Sequence, residues 1–132
     1  MGGNMMSFTE SLSTCFKKTF VYQGRASRSE YWWFQLLFSI CYLILIGSDE
    51  AVIFRDHPAY DVLIWMAIGV IVICILPGLA VTIRRLHDIN KSGWLILISL
   101  IPFIGSLLLL IILISEGTKG KNRFGKNPLK KR

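Results

Sequence analysis

The chain has 132 residues, 53% of them hydrophobic and 17% charged, and its mean hydropathy is +0.54. Soluble domains carry about 25% charge, so this composition excludes a disordered chain and argues against a soluble globular enzyme. Fifteen Lys and Arg against eight Asp and Glu give a net charge of +7, and because the basic residues flank long apolar runs they point to an anionic membrane surface rather than to nucleic acid.

In chain order, residues 8–22 read as an amphipathic helix. Phe8, Leu12, Phe16 and Phe20 recur every fourth residue, with Glu10, Thr14, Lys17 and Lys18 opposite. This segment is too polar to span a bilayer. It either lies in the membrane interface or packs on the other helices. A turn follows at Gln23–Ala26, and Ser27-Arg28-Ser29-Glu30 has the form of a capping box, in which Ser27 accepts from the Glu30 amide and the Glu30 carboxylate reaches back to the Ser27 amide. The apolar run Tyr31–Ile46 covers about 24 Å as helix and reaches bilayer thickness with its first turn included. Tyr31, Trp32 and Trp33 at its start suit the headgroup level. The opening thirty residues do not read as a cleavable signal, so this first segment is expected to direct insertion.

Gly47–Asp61 reads as a connecting loop, followed by a second span over about 62–83. Pro77 lies inside that span, frees the carbonyl of Ile73 and predicts a kink. A third apolar run, 94–114, is interrupted by Pro102 and Gly105. The tail 115–132 is basic, has little apolar surface and is expected to be mostly extended. The fold expected is an all-α membrane protein with three membrane-embedded segments (about 28–46, 62–83 and 94–114). The N-terminal amphipathic segment is 1–26, the membrane domain 27–114 and the tail 115–132.

Orientation depends on the third run. Were it a full span, basic residues would divide almost evenly between the two sides, seven against eight, and the positive-inside rule would barely discriminate. Were it a re-entrant hairpin bent at Pro102–Gly105, fourteen of the fifteen basic residues would lie in the cytoplasm. Two of the three arrangements place the tail inside, and a cytoplasmic tail is the expectation.

The candidate polar cluster is Arg84, Arg85, His87 and Asp88. If the second helix continues a turn past Ile83, Arg84–Asp88 and Arg85–Asp88 stand at i,i+4 and i,i+3, so Asp88 is expected to pair with one of the two arginines at the membrane edge. Such a cluster serves either as a helix-end ion pair or as a site. Arg25, Arg28 and Arg123 are candidate headgroup-binding residues, the first two alternatively interface anchors and Arg123 alternatively part of a solvated tail or a pin against Asp88. Residues 122–128 suggest a tight turn. His57 with Asp56 and Asp61 has no metal-site spacing and reads as a solvated loop. Cys15, Cys41 and Cys74 are scattered and read as free thiols. No cofactor and no catalytic residue is assigned.

Four stretches carry a family resemblance. They are Gly24-Arg25-Ala26-Ser27-Arg28-Ser29-Glu30-Tyr31-Trp32-Trp33-Phe34, Leu76-Pro77-Gly78 through Arg84-Arg85-Leu86-His87-Asp88, Lys91-Ser92-Gly93-Trp94 with Ile101–Gly105, and Gly120-Lys121-Asn122-Arg123-Phe124-Gly125-Lys126-Asn127-Pro128. In order and spacing they resemble the YhaH-like family of small bacterial inner-membrane proteins, domain of unknown function 805, over about residues 8–128. The resemblance implies a bacterial cytoplasmic-membrane protein of a few helices and brings no established activity. The function expected is a non-enzymatic module that binds membrane lipids, anionic ones foremost, or protein partners, including copies of itself. The alternative is a small transporter or channel subunit acting as an oligomer, for which the two prolines speak. A lipid-acting enzyme would need a nucleophile or metal beside His87 and Asp88, and the sequence places neither there.

Overall fold

The computed structural model describes residues 5–50 and 59–131. Helix α1 spans Phe8–Lys17 and starts at a reciprocal capping box: Glu10 N donates to Ser7 Oγ (3.3 Å) and Ser7 N to Glu10 Oε2 (3.0 Å). It ends earlier than the 8–22 periodicity suggests. Thr19 folds its hydroxyl back onto the Phe16 carbonyl (2.7 Å), and Val21 N closes a turn on Lys18 O (3.0 Å). The buried face also differs from the phenylalanine stripe. Ser11 and Cys15, one helical turn apart, are fully buried, while Phe20 is 77% exposed. Small side chains let α1 approach the next helix closely, so its backbone carbonyls become partners: Ser11 Oγ donates to Ser29 O (3.2 Å) and Cys15 Sγ to Glu30 O (3.9 Å). Phe8 and Phe16 pack edge-on against Trp33 and Phe34 at the sides of this contact. Helix α1 is therefore packed on the next helix, one of the two placements its sequence allows.

Among the described residues, helix α2, Arg28–Glu50, and helix α3, Ala59–Asp88, are the two helices long and apolar enough to cross a membrane. Their 23 and 30 residues correspond to about 34 and 45 Å. They run antiparallel, since Glu30 near the start of α2 meets Arg84 near the end of α3, and a Cβ on Gly78 would touch Phe34 (3.4 Å). Ala67, Cys74, Val81 and Asp88 are buried at seven-residue intervals along α3, a seam of mostly small residues. Away from it the helices are bare: Trp65, Leu43 and Ile73 are all more than 60% exposed. Apolar surface on that scale belongs against lipid. Pro77 sits buried inside α3, and the helix continues through it from Ala59 to Asp88.

The expected loop at 47–61 is shorter than its composition suggests, because α2 runs on to Glu50 and α3 already begins at Ala59. Arg55, Asp56 and His57 fall outside the described residues.

The third apolar run is not one helix. A 3₁₀ helix over Gly93–Leu100, capped by Ser92, is followed by a sharp reversal and then by helix α4, Ile104–Ile114. At the reversal Phe103 has φ 60° and ψ −62°, and Ile104 N donates to Pro102 O (2.7 Å), which is a γ-turn of the rare, strained kind. Gly105 makes the fold-back possible: a Cβ there would lie 1.8 Å from the Ile98 carbonyl oxygen. Eleven residues of α4 rise about 16 Å, short of a bilayer. Both ends of the hairpin meet the end of α3. Gly93 abuts Ile83 and His87, while the carbonyls of Leu113 and Ser115 accept from Arg85.

Candidate functional site

The N-terminal turn, the end of α3, the end of α4 and the tail converge on one polar cluster. Helix α3 closes with a Schellman motif in which Asn90 takes φ 61°, Lys91 N donates to Leu86 O (2.9 Å) and Asn90 N to His87 O (3.0 Å). Other terminal carbonyls are satisfied from outside the helix, Arg84 O by Ala26 N (3.0 Å) and Asp88 O by Thr118 N (2.8 Å). Backbone bonds thus fasten both the 24–26 turn and the tail to the end of α3.

Asp88 is the centre. Arg25 Nε donates to its Oδ1 (2.8 Å) and Arg85 Nη1 to its Oδ2, so one carboxylate bridges two guanidinium groups. All three side chains are at most 6% exposed. The remaining donors of Arg25 go to tail carbonyls: Nη1 to Gly120 O (2.6 Å) and Gly125 O (3.3 Å), Nη2 to Thr118 O (2.6 Å) and Asp88 O (3.4 Å). Arg85 spends its other nitrogens on Leu113 O and Ser115 O. The chain passes so close that a Cβ on Gly117 would be 2.0 Å from Asp88 Oδ2.

Arg84 turns the other way and pairs with Glu30 through Nη1. Its Nε and Nη2 are buried without a hydrogen-bond partner. Three guanidinium groups therefore stand against two carboxylates, and the cluster holds a net charge of +1. Beside it Cys15 is buried, and its thiol is pushed up to about 12 by burial first and by the Glu30 charge second, with Arg84 acting in the opposite sense. The three cysteines are free and buried.

The tail is not extended: it folds back onto the end of α3, while Lys119, Lys121, Arg123 and Lys126 stay exposed. Asn122 and Gly125 exchange backbone bonds (3.0 and 3.1 Å) in a tight turn, and Asn122 Nδ2 donates to His87 O (2.9 Å). The turn expected at 122–128 is thus present, and it is docked. Phe124 stacks on the His87 ring at 3.8 Å and 7°. His87 Nδ1 bonds Gly24 O (3.2 Å), which requires the proton on Nδ1. Arg123 lies over the outer face of Phe124 (4.6 Å) and donates to Asn90 O (3.2 Å), so it pins the tail beside the cluster, not on Asp88.

Of the residues singled out in the sequence, Arg84, Arg85, His87 and Asp88 do lie together, with Asp88 paired to Arg85. Arg84 pairs elsewhere because Glu30, expected to cap its own helix, faces it across the α2–α3 contact; Ser27 keeps its half of the capping box, accepting from Glu30 N (3.2 Å). Arg25 is neither an interface anchor nor free for a headgroup, since its five N–H donors are engaged inside the protein. Arg28 stays on the rim, 3.8 Å from Glu116. Sequence reasoning gave Glu30 a capping role and Asn122 a turn, assigned neither to the cluster, and did not single out Thr118. The signal available was a charge count: a buried Glu at the mouth of a span requires a cation. Beside the cluster, α1 and the tail enclose a cleft of about 500 Å³, with Lys18 on one wall, Lys126 on the other, and Arg25 and Glu30 among its lining. Among the described residues, no group of three or more His, Cys, Asp or Glu is placed to hold a metal.

The family model described as "Protein of unknown function (DUF805)" matches residues 19–126, which takes in the whole cluster. The chain belongs to the DUF805 family. Among curated DUF805-like relatives, the inner membrane protein YhaI of Escherichia coli K12 is 40% identical over 107 residues, covering 81% of this chain and 85% of its own length. The inner membrane protein YhaH of the same organism is 37% identical, covering 81% and 86%. The more distant uncharacterized protein YiiR is 26% identical over 135 residues, covering 82% and 86%. No solved structure matches this DUF805 chain. Its relatives and its two long apolar helices make it an inner-membrane protein.

Proposed function

We propose that this DUF805 protein is a non-catalytic membrane module whose polar end lies in the cytoplasm and binds anionic lipid headgroups. In this reading α2 and α3 span the bilayer and the 94–114 hairpin is the third embedded segment, re-entering from the cytoplasmic side. One observation carries it. Every Lys and Arg among the described residues falls within 17–28, 84–91 or 119–131, and these segments meet at the same end of the α2–α3 pair. The positive-inside rule assigns such an end to the cytoplasm, and each exposed cation near an anionic leaflet adds about 1 kcal/mol of attraction. A non-catalytic role is supported by how the cluster is used. Asp88, the carboxylate beside His87, is saturated by two guanidinium groups, and His87 is stacked and bonded to backbone.

The protein purified from membranes and reconstituted with mixed lipids is expected to enrich phosphatidylglycerol over phosphatidylcholine. A C-terminal fluorescent-protein fusion should glow while the alkaline phosphatase fusion is silent. Unselective lipid retention, or an active phosphatase fusion, would refute the reading; co-purification of a stoichiometric protein instead of lipid would move the function to partner binding. The re-entrant hairpin favours a second reading, a subunit of an oligomeric transporter or channel, because irregular backbone at depth is found where it lines a pathway or is covered by protein. Solute flux into liposomes carrying the protein tests it.

A further inference from the structure

The cleft between α1 and the docked tail has the dimensions and the charge of a ligand site. Its volume of about 500 Å³ lies within the usual range for small-molecule pockets. Its polar lining is rich in donors. Lys18 comes from the end of α1 and Lys126 from the tail, so a cation faces the cleft from each wall. A lysine ammonium donates and never accepts. Asn127, whose Oδ1 accepts from Leu129 N (3.0 Å), adds two amide N–H donors to the lining. Thr14 adds a hydroxyl.

The charges beneath reinforce the sign. Glu30 lines the cleft, but its carboxylate is held by Arg84, which neutralises the one acid in the lining. The charged residues that line the cleft are Lys18, Arg25 and Lys126 against Glu30, a formal charge of +2. Part of the remaining lining is apolar, from Phe124, Pro128 and Leu129, which suits the carbon skeleton next to an anionic group.

We propose that this cleft is a binding site for a glycerol phosphate ester, with Lys18 and Lys126 holding the phosphate from opposite walls. The proposal rests on the headgroup-binding reading above and gives it a location and a ligand. The same chemistry is offered by the headgroup of phosphatidylglycerol and by free glycerol 3-phosphate. Neither lysine belongs to the buried network, so both can be replaced without disturbing the fold.

The full-length protein is studied by native mass spectrometry from nanodiscs holding equal phosphatidylglycerol and phosphatidylcholine, and in parallel by thermal shift with glycerol 3-phosphate in a neutral detergent. One phosphatidylglycerol retained per chain is the expected result if the source is the lipid, and stabilisation by glycerol 3-phosphate if it is the soluble ester. Lys18→Gln and Lys126→Gln should each weaken binding about 5-fold and together about 25-fold. Lys121→Gln, on the exposed side of the tail and outside the cleft, should leave it unchanged. If the natural protein selects phosphatidylglycerol and the double variant selects it equally well, the cleft assignment falls and the headgroup reading stands. An effect of Lys121→Gln as large as that of Lys18→Gln means diffuse surface attraction and also defeats the assignment. Binding of neither probe by the natural protein removes both.

Discussion

At the end of α3, Arg85 and Asp88 reach their partners through charge and hydrogen bonds. In the hairpin that follows, Gly105 reaches Ile98 through close approach alone. The first region brings together five charged side chains, all buried, from the N-terminal turn, α2 and α3. The second, 93–114, contains no charged residue at all. The difference concerns what each can tolerate. A buried ion network is strongly dependent on each member, because removing one leaves its partner charged and desolvated. The apolar turn depends instead on backbone approach, since a Cβ on Gly105 would meet the Ile98 carbonyl, and it holds no ion pair to lose.

Asp88→Ala is expected to have the largest effect. It strands Arg25 and Arg85 together in the interior, at a cost of about 3–5 kcal/mol. Arg25 also holds the tail carbonyls of Thr118, Gly120 and Gly125, so the tail should detach. Thermal unfolding in one detergent, with trypsin cleavage at Lys119 and Lys121 as second readout, measures both. Asp61→Ala, an exposed acid at the start of α3, is the matched control and should change little. Equal melting temperatures for the two would mean that the network contributes nothing to the fold.

Glu30→Gln ranks next. Loss of a charge-assisted bond to Arg84 should cost about 1.5–3 kcal/mol. It also carries a chemical signature. The Cys15 thiol stands near 12, raised by burial and by Glu30 and lowered by Arg84. Removing the Glu30 charge while keeping Arg84 favours the thiolate, so the thiol pKa must fall. At fixed alkaline pH, alkylation of Cys15 should therefore be faster in Glu30→Gln than in the natural protein. A slower or unchanged rate, with the fold intact, would show that Glu30 and Arg84 do not act on Cys15.

Gly105→Ala addresses the other region. With a Cβ placed 1.8 Å from the Ile98 oxygen, the hairpin must open, at about 1–3 kcal/mol. The tail should stay resistant to trypsin, because its clamp is Arg25. If the tail is released as well, the hairpin and the cluster form one cooperative unit, and the contrast between them dissolves.

How far the sequence discloses these regions follows the distance over which each is built. Helices α2 and α3 are local and long, so their hydrophobic runs identify them, and the i,i+3 pair Arg85–Asp88 follows from helical spacing. Pro102 and Gly105 mark the reversal, yet they do not decide between a broken span and a hairpin; that depends on Arg85 receiving the end of α4. The Arg25–Asp88 and Arg84–Glu30 bonds join residues 63 and 54 positions apart, and no periodicity reports them. The tail misleads for a related reason. It lacks an apolar face, and it is ordered by donors from the body of the protein, where composition finds nothing to bury. In α1 the phenylalanine stripe draws attention away from Ser11 and Cys15, since close approach selects for small residues and the hydrophobic pattern is blind to it.

Arg28 sharpens the comparison from its quiet side. It lies three residues from Arg25 in sequence and carries the same charge, but its side chain is 46% exposed, and its acid, Glu116, is 76% exposed at 3.8 Å. Solvent screens such a pair, and holding two long side chains in one geometry consumes most of what attraction remains. Arg28→Ala should therefore shift stability by no more than about 0.5 kcal/mol. Arg25→Ala, by contrast, leaves the Thr118 and Gly120 carbonyls without their donor, Gly125 O with Asn122 N alone, and Asp88 with one guanidinium in place of two. The two alanine variants, compared by melting temperature and by trypsin sensitivity of the tail, differ in burial while sharing residue type and neighbourhood. A loss in Arg28→Ala approaching that in Arg25→Ala would show that the rim pair is shielded, and that the polar end extends outward to Glu116.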